Sequence, residues 1–298
     1  MTVRPDRRPF LLLFFLLPLL WVTGSQLNRL SSELLFREIE SEGVNYDKFR
    51  ELKLGDEVLA SAQDSTAKLY KRYPDLKQFQ IISPIDYITF SMFTKSFDLT
   101  DGKLTDGKIL LKGYGRITGM KSYEKLREYY TAILNDLERF PVPRMLADEK
   151  DVSYVDTWSD PRSYGGNRKH EGTDIMGGMN ERGHYPVISM TDGYIEKMGW
   201  LEQGGYRVGV RSPSGGYFYY AHLDSYAPEL KEGDNIYAGQ LLGFMGDSGY
   251  GNEGTVGKFD VHLHVGIYVN TQSGEMSVNP YYILKILEKD RTSCIGYP

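Results

Sequence analysis

Residues 260–269 read DVHLHVGIYV. Alternation along an extended chain sends His262 and His264 to one face, with Asp260, and Val261, Leu263 and Val265 to the other. The segment therefore reads as a strand with an apolar side for a core and a polar side that offers two imidazoles. Further candidate strands lie upstream at 185–190, 193–198, 206–211, 216–222 and 240–245, separated by the turn pairs Asp192-Gly193, Ser214-Gly215 and Glu232-Gly233. Short strands at this spacing predict a mainly antiparallel β domain over 146–298, closed by a short helix from about Tyr281 to Lys289.

The preceding half has a different period. Leu27, Leu30, Leu34 and Leu35 recur at helical spacing, and so do Val58, Ala62, Leu69 and Tyr73 in a segment that Pro74 stops. A further helix is expected from Ser122, as N-cap, to about Arg139, with Tyr123, Leu126, Tyr130, Ile133 and Leu137 as its apolar stripe. Between them, TDGKLTDGK at 100–108 repeats an Asp-Gly pair and reads as consecutive tight turns. Proline and acidic residues over 141–160 read as a linker. The expected fold class is α+β, with an α-helical module of unassigned role at 25–145 followed by the β domain at 146–298.

Composition narrows the function classes. Lys and Arg number 35 against 40 Asp and Glu, a net charge of −5, so no basic field exists to hold polyphosphate and nucleic acid is not an expected partner. Cys294 is the single cysteine, which excludes an intramolecular disulfide, a cysteine-rich zinc site and a Cys-x-x-Cys redox centre. Arg4, Arg7 and Arg8 precede an apolar run over residues 10–22, of signal-peptide length, with Val22-Thr23-Gly24 as a small-residue cleavage site. Residues 1–24 are expected to be a signal peptide or a retained membrane anchor, with everything after Gly24 outside the cytoplasm.

The chain has five histidines. His170 opens HEGTD, in which Gly172 and the β-branched Thr173 favour a loop leading into a strand, and Asp174 stands where the H-E-x-x-H pattern needs its second histidine. His222 ends YYAH on another aromatic strand. A catalytic metal takes three protein ligands from His and Asp/Glu and keeps a position open, and these residues with His262 and His264 supply such a set with bases to spare.

In HEGTDI at 170, YPVISMTDGYI at 185, GGYFYYAHLD at 215, EGDNIYAGQLLGFMGDSG at 232 and VHLHVGI at 261, the chain resembles the M23 family of zinc metallopeptidases, the lysostaphin-like peptidoglycan endopeptidases with a LytM-type domain. The resemblance spans roughly 165–270 and does not reach 25–145. It implies one Zn²⁺ held by His170, Asp174 and His264, with His222 and His262 left off the metal as catalytic groups, His262 favoured as general base and His222 as oxyanion stabiliser. Arg162 and Asn167 fall where the family lines its groove, and Tyr220, beside Tyr219, is assigned to substrate. The implied function is an exported hydrolase of peptide stems or cross-bridges in peptidoglycan; the alternative is a catalytically silent scaffold or activator of other wall hydrolases. The approach SGYGNEGTVGKFDVHLH at 248–264 is longer than in many members, which implies one extended groove wall.

Overall fold

The computed structural model describes residues 44–78, 82–146 and 150–294. The first part is helical, with α1 (Tyr46–Glu51), α2 (Val58–Arg72), α3 (Pro74–Gln78), α4 (Pro84–Thr94), α5 (Gly107–Ile117) and α6 (Lys121–Leu134). A parallel clip of β1 (Lys53–Leu54) and β2 (Asp98–Leu99) ties this part together. The apolar run at 10–22 and the leucine pattern at 27–35 lie outside the described residues; among those described, no helix is long and apolar enough to cross a membrane.

Helix α2 buries the expected stripe of Val58, Ala62 and Leu69, and Pro74 both ends it and opens α3. Two helices escape a periodic reading. Every residue of α4 from Ile85 to Phe93 is buried, so it has no polar face to set off an apolar stripe. The TDGKLTDGK segment is half turn and half helix start, because Asp106 caps α5 by accepting the Lys108 N–H at 2.8 Å. Helix α6 corrects the expected 122–139 span: its N-cap is Met120, not Ser122, and it ends at Leu134 because the Glu138 and Arg139 N–H groups are given to the Met190 carbonyl.

One carboxylate joins three of these helices. Asp86, fully buried in α4, accepts from the Ser83 N–H and hydroxyl at 2.7 Å each, from Arg127 Nε of α6 at 2.6 Å and from the Tyr114 hydroxyl of α5 at 3.2 Å. The first of these, with the Asp86 N–H donating back to Ser83 Oγ at 3.2 Å, makes the capping box that starts α4.

The chain then passes β3 (Arg144–Met145) and a hairpin of β4 (Pro161–Arg162) and β5 (Arg168–Lys169) into a nine-stranded sheet. Its strands are β6 (Thr173–Met176), β7 (Pro186–Ile188), β8 (Gly193–Leu201), β9 (Gly205–Arg211), β10 (Tyr217–Tyr226), β11 (Asn235–Ile236), β12 (Leu241–Met245), β13 (His262–Thr271) and β14 (Gly274–Val278). Helix α7 (Tyr281–Glu288) and β15 (Ser293–Cys294), paired with β3, complete the described chain. All pairings within the large sheet are antiparallel.

Strand β10 organises the sheet. One edge pairs with β9 over Tyr217–Tyr220 and again at Leu223; the other pairs with β13 over Tyr217–Ala221 and then with β12 from Leu223 onward. The switch falls on His222, whose φ of 63° breaks the register on both sides. Strand β13 is likewise shared, holding β6 along 262–265 and β14 along 267–271 on its far edge. The inward residues Val208, Val210, Phe218, Tyr220, Leu263, Val265 and Ile267 are buried.

Helices and sheet form one compact unit from Tyr46 onward, so the boundary expected at 145/146 does not separate two units. The reason lies in direct bonding. Arg50 donates to the Ser277 carbonyl at 3.0 Å and hydroxyl at 2.9 Å, and Asp136 accepts from the Ser214 N–H at 2.6 Å. The expected linker is held too: Arg291, with a side chain 2% exposed, donates to the carbonyls of Val142 and Pro143 and to both oxygens of Asp151.

Replacing Asp86 removes a cap and three inter-residue donors' common acceptor at once. Asp86→Ala is expected to lower unfolding free energy by about 2–4 kcal/mol, whereas Arg127→Ala, whose partner keeps its Ser83 donors, costs about 1–2 kcal/mol. Urea unfolding of both variants checks the order.

Candidate metal centre and substrate cleft

On the outer face of β13, His264 pairs across to Asp174 of β6, and His170 closes the group from the loop before it. His170 Nε2, Asp174 Oδ1 and His264 Nδ1 lie 3.0 Å from one another around a triangle. Gly172 is required for this closeness, since a Cβ there would stand 2.4 Å from His264 Cε1 and 2.5 Å from the Val265 carbonyl.

The tautomer of His170 follows from its other nitrogen. Nδ1 lies 3.1 Å from the Thr157 carbonyl, an obligate acceptor, so the proton sits there and Nε2 points a lone pair into the triangle. Burial works against the charge of Asp174, yet the two imidazoles beside it, His170 and His264, hold it well below the usual carboxylate range. Burial also pushes the His264 imidazole below its ordinary value, against the pull of Asp174. Two imidazole nitrogens and one carboxylate oxygen thus converge. Donors about 2.0–2.2 Å from a tetrahedral metal stand roughly 3.3 Å apart, so a slight spreading of the triangle around an ion would satisfy all three. The residues fit a divalent metal.

His222 and His262 flank this group in one shared tautomer. His222 Nδ1 is 2.8 Å from the Ser248 carbonyl and His262 Nδ1 is 2.7 Å from the Asp260 carbonyl, so both rings carry the proton on Nδ1 and leave Nε2 bare. His262 Nε2 reaches to 3.8 Å from Asp174 Oδ1, and the two ring centres are 4.7 Å apart. Burial first, and the neighbouring imidazoles second, push His222 well below the ordinary histidine value.

A cleft of about 490 Å³ opens over these groups. Arg162 stands on its edge but turns inward: Nη2 donates to Asp174 Oδ2 at 2.7 Å, the carboxylate oxygen that the triangle leaves free. Asn167 sits exposed in the β4–β5 turn and is not a cleft residue. Tyr220 corrects its assignment to substrate, since it is fully buried and its hydroxyl accepts the Met190 N–H at 2.8 Å; alternation gives the cleft to Tyr219 instead. The Tyr219 ring meets His264 edge-on at 6.0 Å.

The long approach to β13 forms an aromatic wall. Phe259 packs against His222 at 4.6 Å and Tyr250 at 4.8 Å, and Tyr250 stacks on Tyr164 at 4.1 Å, bridging to the β4–β5 hairpin. None of these three aromatics carries a recognisable motif.

Residues 168–280 match Peptidase family M23. A crystal structure from Ruminococcus gnavus, assigned as a glycyl-glycine endopeptidase LytM, superposes with a TM-score of 0.70 at 40% identity, covering 88% of this chain and 99% of that one. The chain belongs to peptidase family M23. Among curated relatives, an L-Ala–D-Glu endopeptidase of Bacillus subtilis is 37% identical over 204 residues, 67% of this chain and 60% of the relative. Glycyl-glycine endopeptidase ALE-1 of Staphylococcus capitis is 31% identical over 123 residues, 41% of this chain and 30% of the relative. The chain thus spans less than two thirds of the length of either relative. The family match stays within 168–280, whereas the likeness to the Ruminococcus gnavus structure, at 88% of this chain, takes in much of the helical part as well.

Tyr220→Phe separates core from cleft. It orphans the Met190 N–H and is expected to cost about 1–3 kcal/mol in urea unfolding, with affinity for a divalent metal unchanged in a chelator-competition titration.

Proposed function

We propose that the protein is a zinc endopeptidase that hydrolyses peptide bonds in bacterial peptidoglycan, acting outside the cytoplasm. The observation that carries this reading is the pairing of a three-donor triangle with two further imidazoles, each locked by a backbone carbonyl so that a bare Nε2 faces the same opening. A scaffold that had lost catalysis would have no use for His222 and His262 in that tautomer. The Arg-flanked apolar run at 10–22 supports export.

His170, Asp174 and His264 would hold Zn²⁺, which when bound supplies Lewis-acid polarisation of a carbonyl and a lowered pKa for water. The chain's own residues do the rest. His262 accepts the proton lost by the attacking water at its bare Nε2 and returns it to the leaving amine. His222, neutral and buried, also presents an acceptor, so it orients the attacking water; it stabilises an oxyanion only once protonated, which refines the role that the family resemblance implies for it. Arg162 fixes the Asp174 carboxylate by its second oxygen, so that Oδ1 stays in the triangle.

The names of the relatives offer two bond types, an Ala–Glu bond in a stem and a Gly–Gly bond in a bridge. Both present an amide to the same centre.

Purified protein incubated with defined muropeptides, with and without a chelator, tests the activity by mass of products; chelator-insensitive cleavage or no cleavage of any wall type would sink it. His222→Ala and His262→Ala are expected to retain one zinc per chain by elemental analysis and to lose about 10²–10⁴-fold in turnover, while His170→Ala and His264→Ala lose the metal. Zinc lost from the first pair would reverse the assignment. Arg162→Ala is expected to weaken zinc binding about 10–100-fold, read by competition with a chromophoric chelator, and Arg162→Lys to recover part of it.

A further inference from the structure

Two acceptors compete for the proton of His170. Nε2 lies 3.0 Å from Asp174 Oδ1, and Nδ1 lies 3.1 Å from the Thr157 carbonyl. A neutral imidazole carries one proton, so the carboxylate draws it to Nε2 unless Nδ1 is held against an acceptor of its own. A proton on Nε2 would take the place of the lone pair that a metal needs. The Thr157 hydroxyl, 3.0 Å from Nδ1, can donate to it and so favour that wrong tautomer. The ligand therefore depends on where one carbonyl is placed, in a segment that is neither helix nor strand.

Bonds from outside the segment fix that carbonyl. Asp156 Oδ1 accepts the Trp158 N–H at 3.1 Å, which bends the chain at Thr157, and both Asp156 oxygens accept from Asn279 Nδ2 at 3.2 Å. Asn279, between β14 and α7, is 2% exposed. Its Oδ1 accepts the Tyr281 N–H at 3.0 Å, which commits Nδ2 to Asp156, and its own N–H goes to the Arg50 carbonyl at 2.8 Å. Arg50, in the last turn of α1, adds its side chain: the guanidinium that bonds Ser277 also stands 5.6 Å over the Trp158 ring. Its Nη2 lies 3.5 Å from Glu171, the residue after His170, in an exposed pair that contributes little. The turn and the ligand are coupled in turn, since the Ser159 N–H donates to the His170 carbonyl at 2.9 Å and the His170 N–H to the Asp160 carbonyl at 2.8 Å.

We propose that Asn279 and Arg50 are positioning residues for His170, acting through Asp156 and Trp158 to hold the Thr157 carbonyl against Nδ1 and so keep Nε2 bare for the ion. The first helix of the described chain thereby has a task in the metal centre, although it contributes no ligand. The inference rests on the metal-centre reading above and deepens it.

The test uses the full chain with ¹⁵N-labelled histidine, stripped of metal by a chelator, at about pH 8, where an ordinary imidazole is neutral. Long-range ¹H–¹⁵N correlation spectra read the tautomer of each ring without any metal. The wild type is expected to carry the His170 proton on Nδ1. Asp156→Ala, a change at an exposed position, and Asn279→Ala are expected to move it wholly or partly to Nε2 and to weaken zinc binding about 10–100-fold in competition with a chromophoric chelator. Arg50→Ala is expected to act in the same direction and more weakly. Asp156→Asn, which keeps an acceptor for Trp158 and Asn279, is expected to recover most of the loss. Urea unfolding verifies that each variant is folded; a merely structural role would lower the unfolding midpoint and leave tautomer and zinc affinity alone. An Nε2 proton on His170 in the metal-free wild type, or an unmoved tautomer with unchanged zinc affinity in folded Asp156→Ala and Asn279→Ala, would overturn the proposal. The reading beneath fails separately: a wild type that binds no zinc refutes the metal centre, while a tautomer still moved by Asp156→Ala upholds the positioning of His170.

Discussion

The site depends on one strand changing partners. β10 leaves β13 for β12 at His222, and no ordinary extended residue can make that turn. His222 adopts φ 63°, a conformation that costs a non-glycine residue on the order of 1–3 kcal/mol. Its N–H bond to the Gly204 carbonyl and its ring bond to the Ser248 carbonyl offset that strain. The break does three things at once. It aims an imidazole out of the sheet beside the metal triangle, it leaves Ala221 facing His264 with a small side chain, and it opens the fork against which Phe259 and Tyr250 pack. A regular strand would have placed residue 222 on the opposite face from Ala221 with no room for the long loop.

Backbone carbonyls then set the chemistry of each ring. The five-residue cluster contains four imidazoles within contact distance, and nothing in the identity of a histidine says whether it binds metal or moves protons. The partner of the second nitrogen sets the tautomer: Thr157 for His170, Ser248 for His222 and Asp260 for His262. In all three the carbonyl fixes the proton on Nδ1 and exposes Nε2. What separates the rings is how far that Nε2 stands from Asp174, in direct contact for His170 and at 3.8 Å for His262.

Much of the β half was legible because alternation and turn chemistry agree along it. The 260–269 segment and the turn at Ser214-Gly215 needed no tertiary knowledge, and the site residues carried motif spacing. The helical half was less legible for a physical reason. A helix buried on every side, such as α4, has no amphipathic signal, and Leu137 continues the stripe of α6 although the backbone there already serves the Met190 carbonyl. Tyr220 was misassigned because alternation fixes that one of two adjacent tyrosines is buried, without saying which. Ala221, opposite His264, settles the phase and gives the cleft to Tyr219. Residues 141–160 read as a linker from their prolines and acids, yet Arg291, more than 130 positions away, supplies the bonds that hold them.

Net charge also misleads at the scale of a site. A chain at −5 has no reason, by composition, to welcome an acidic ligand. Within the cleft the count is different, because each carboxylate there is already engaged: Asp174 by Arg162 and two imidazoles, Glu275 by Arg211 and Glu171 by Arg50. Pairing cancels charges locally and leaves behind whichever member has no partner. At an ionic strength where fields beyond about 8–10 Å are screened, the distant surplus of acidic residues contributes little inside the cleft.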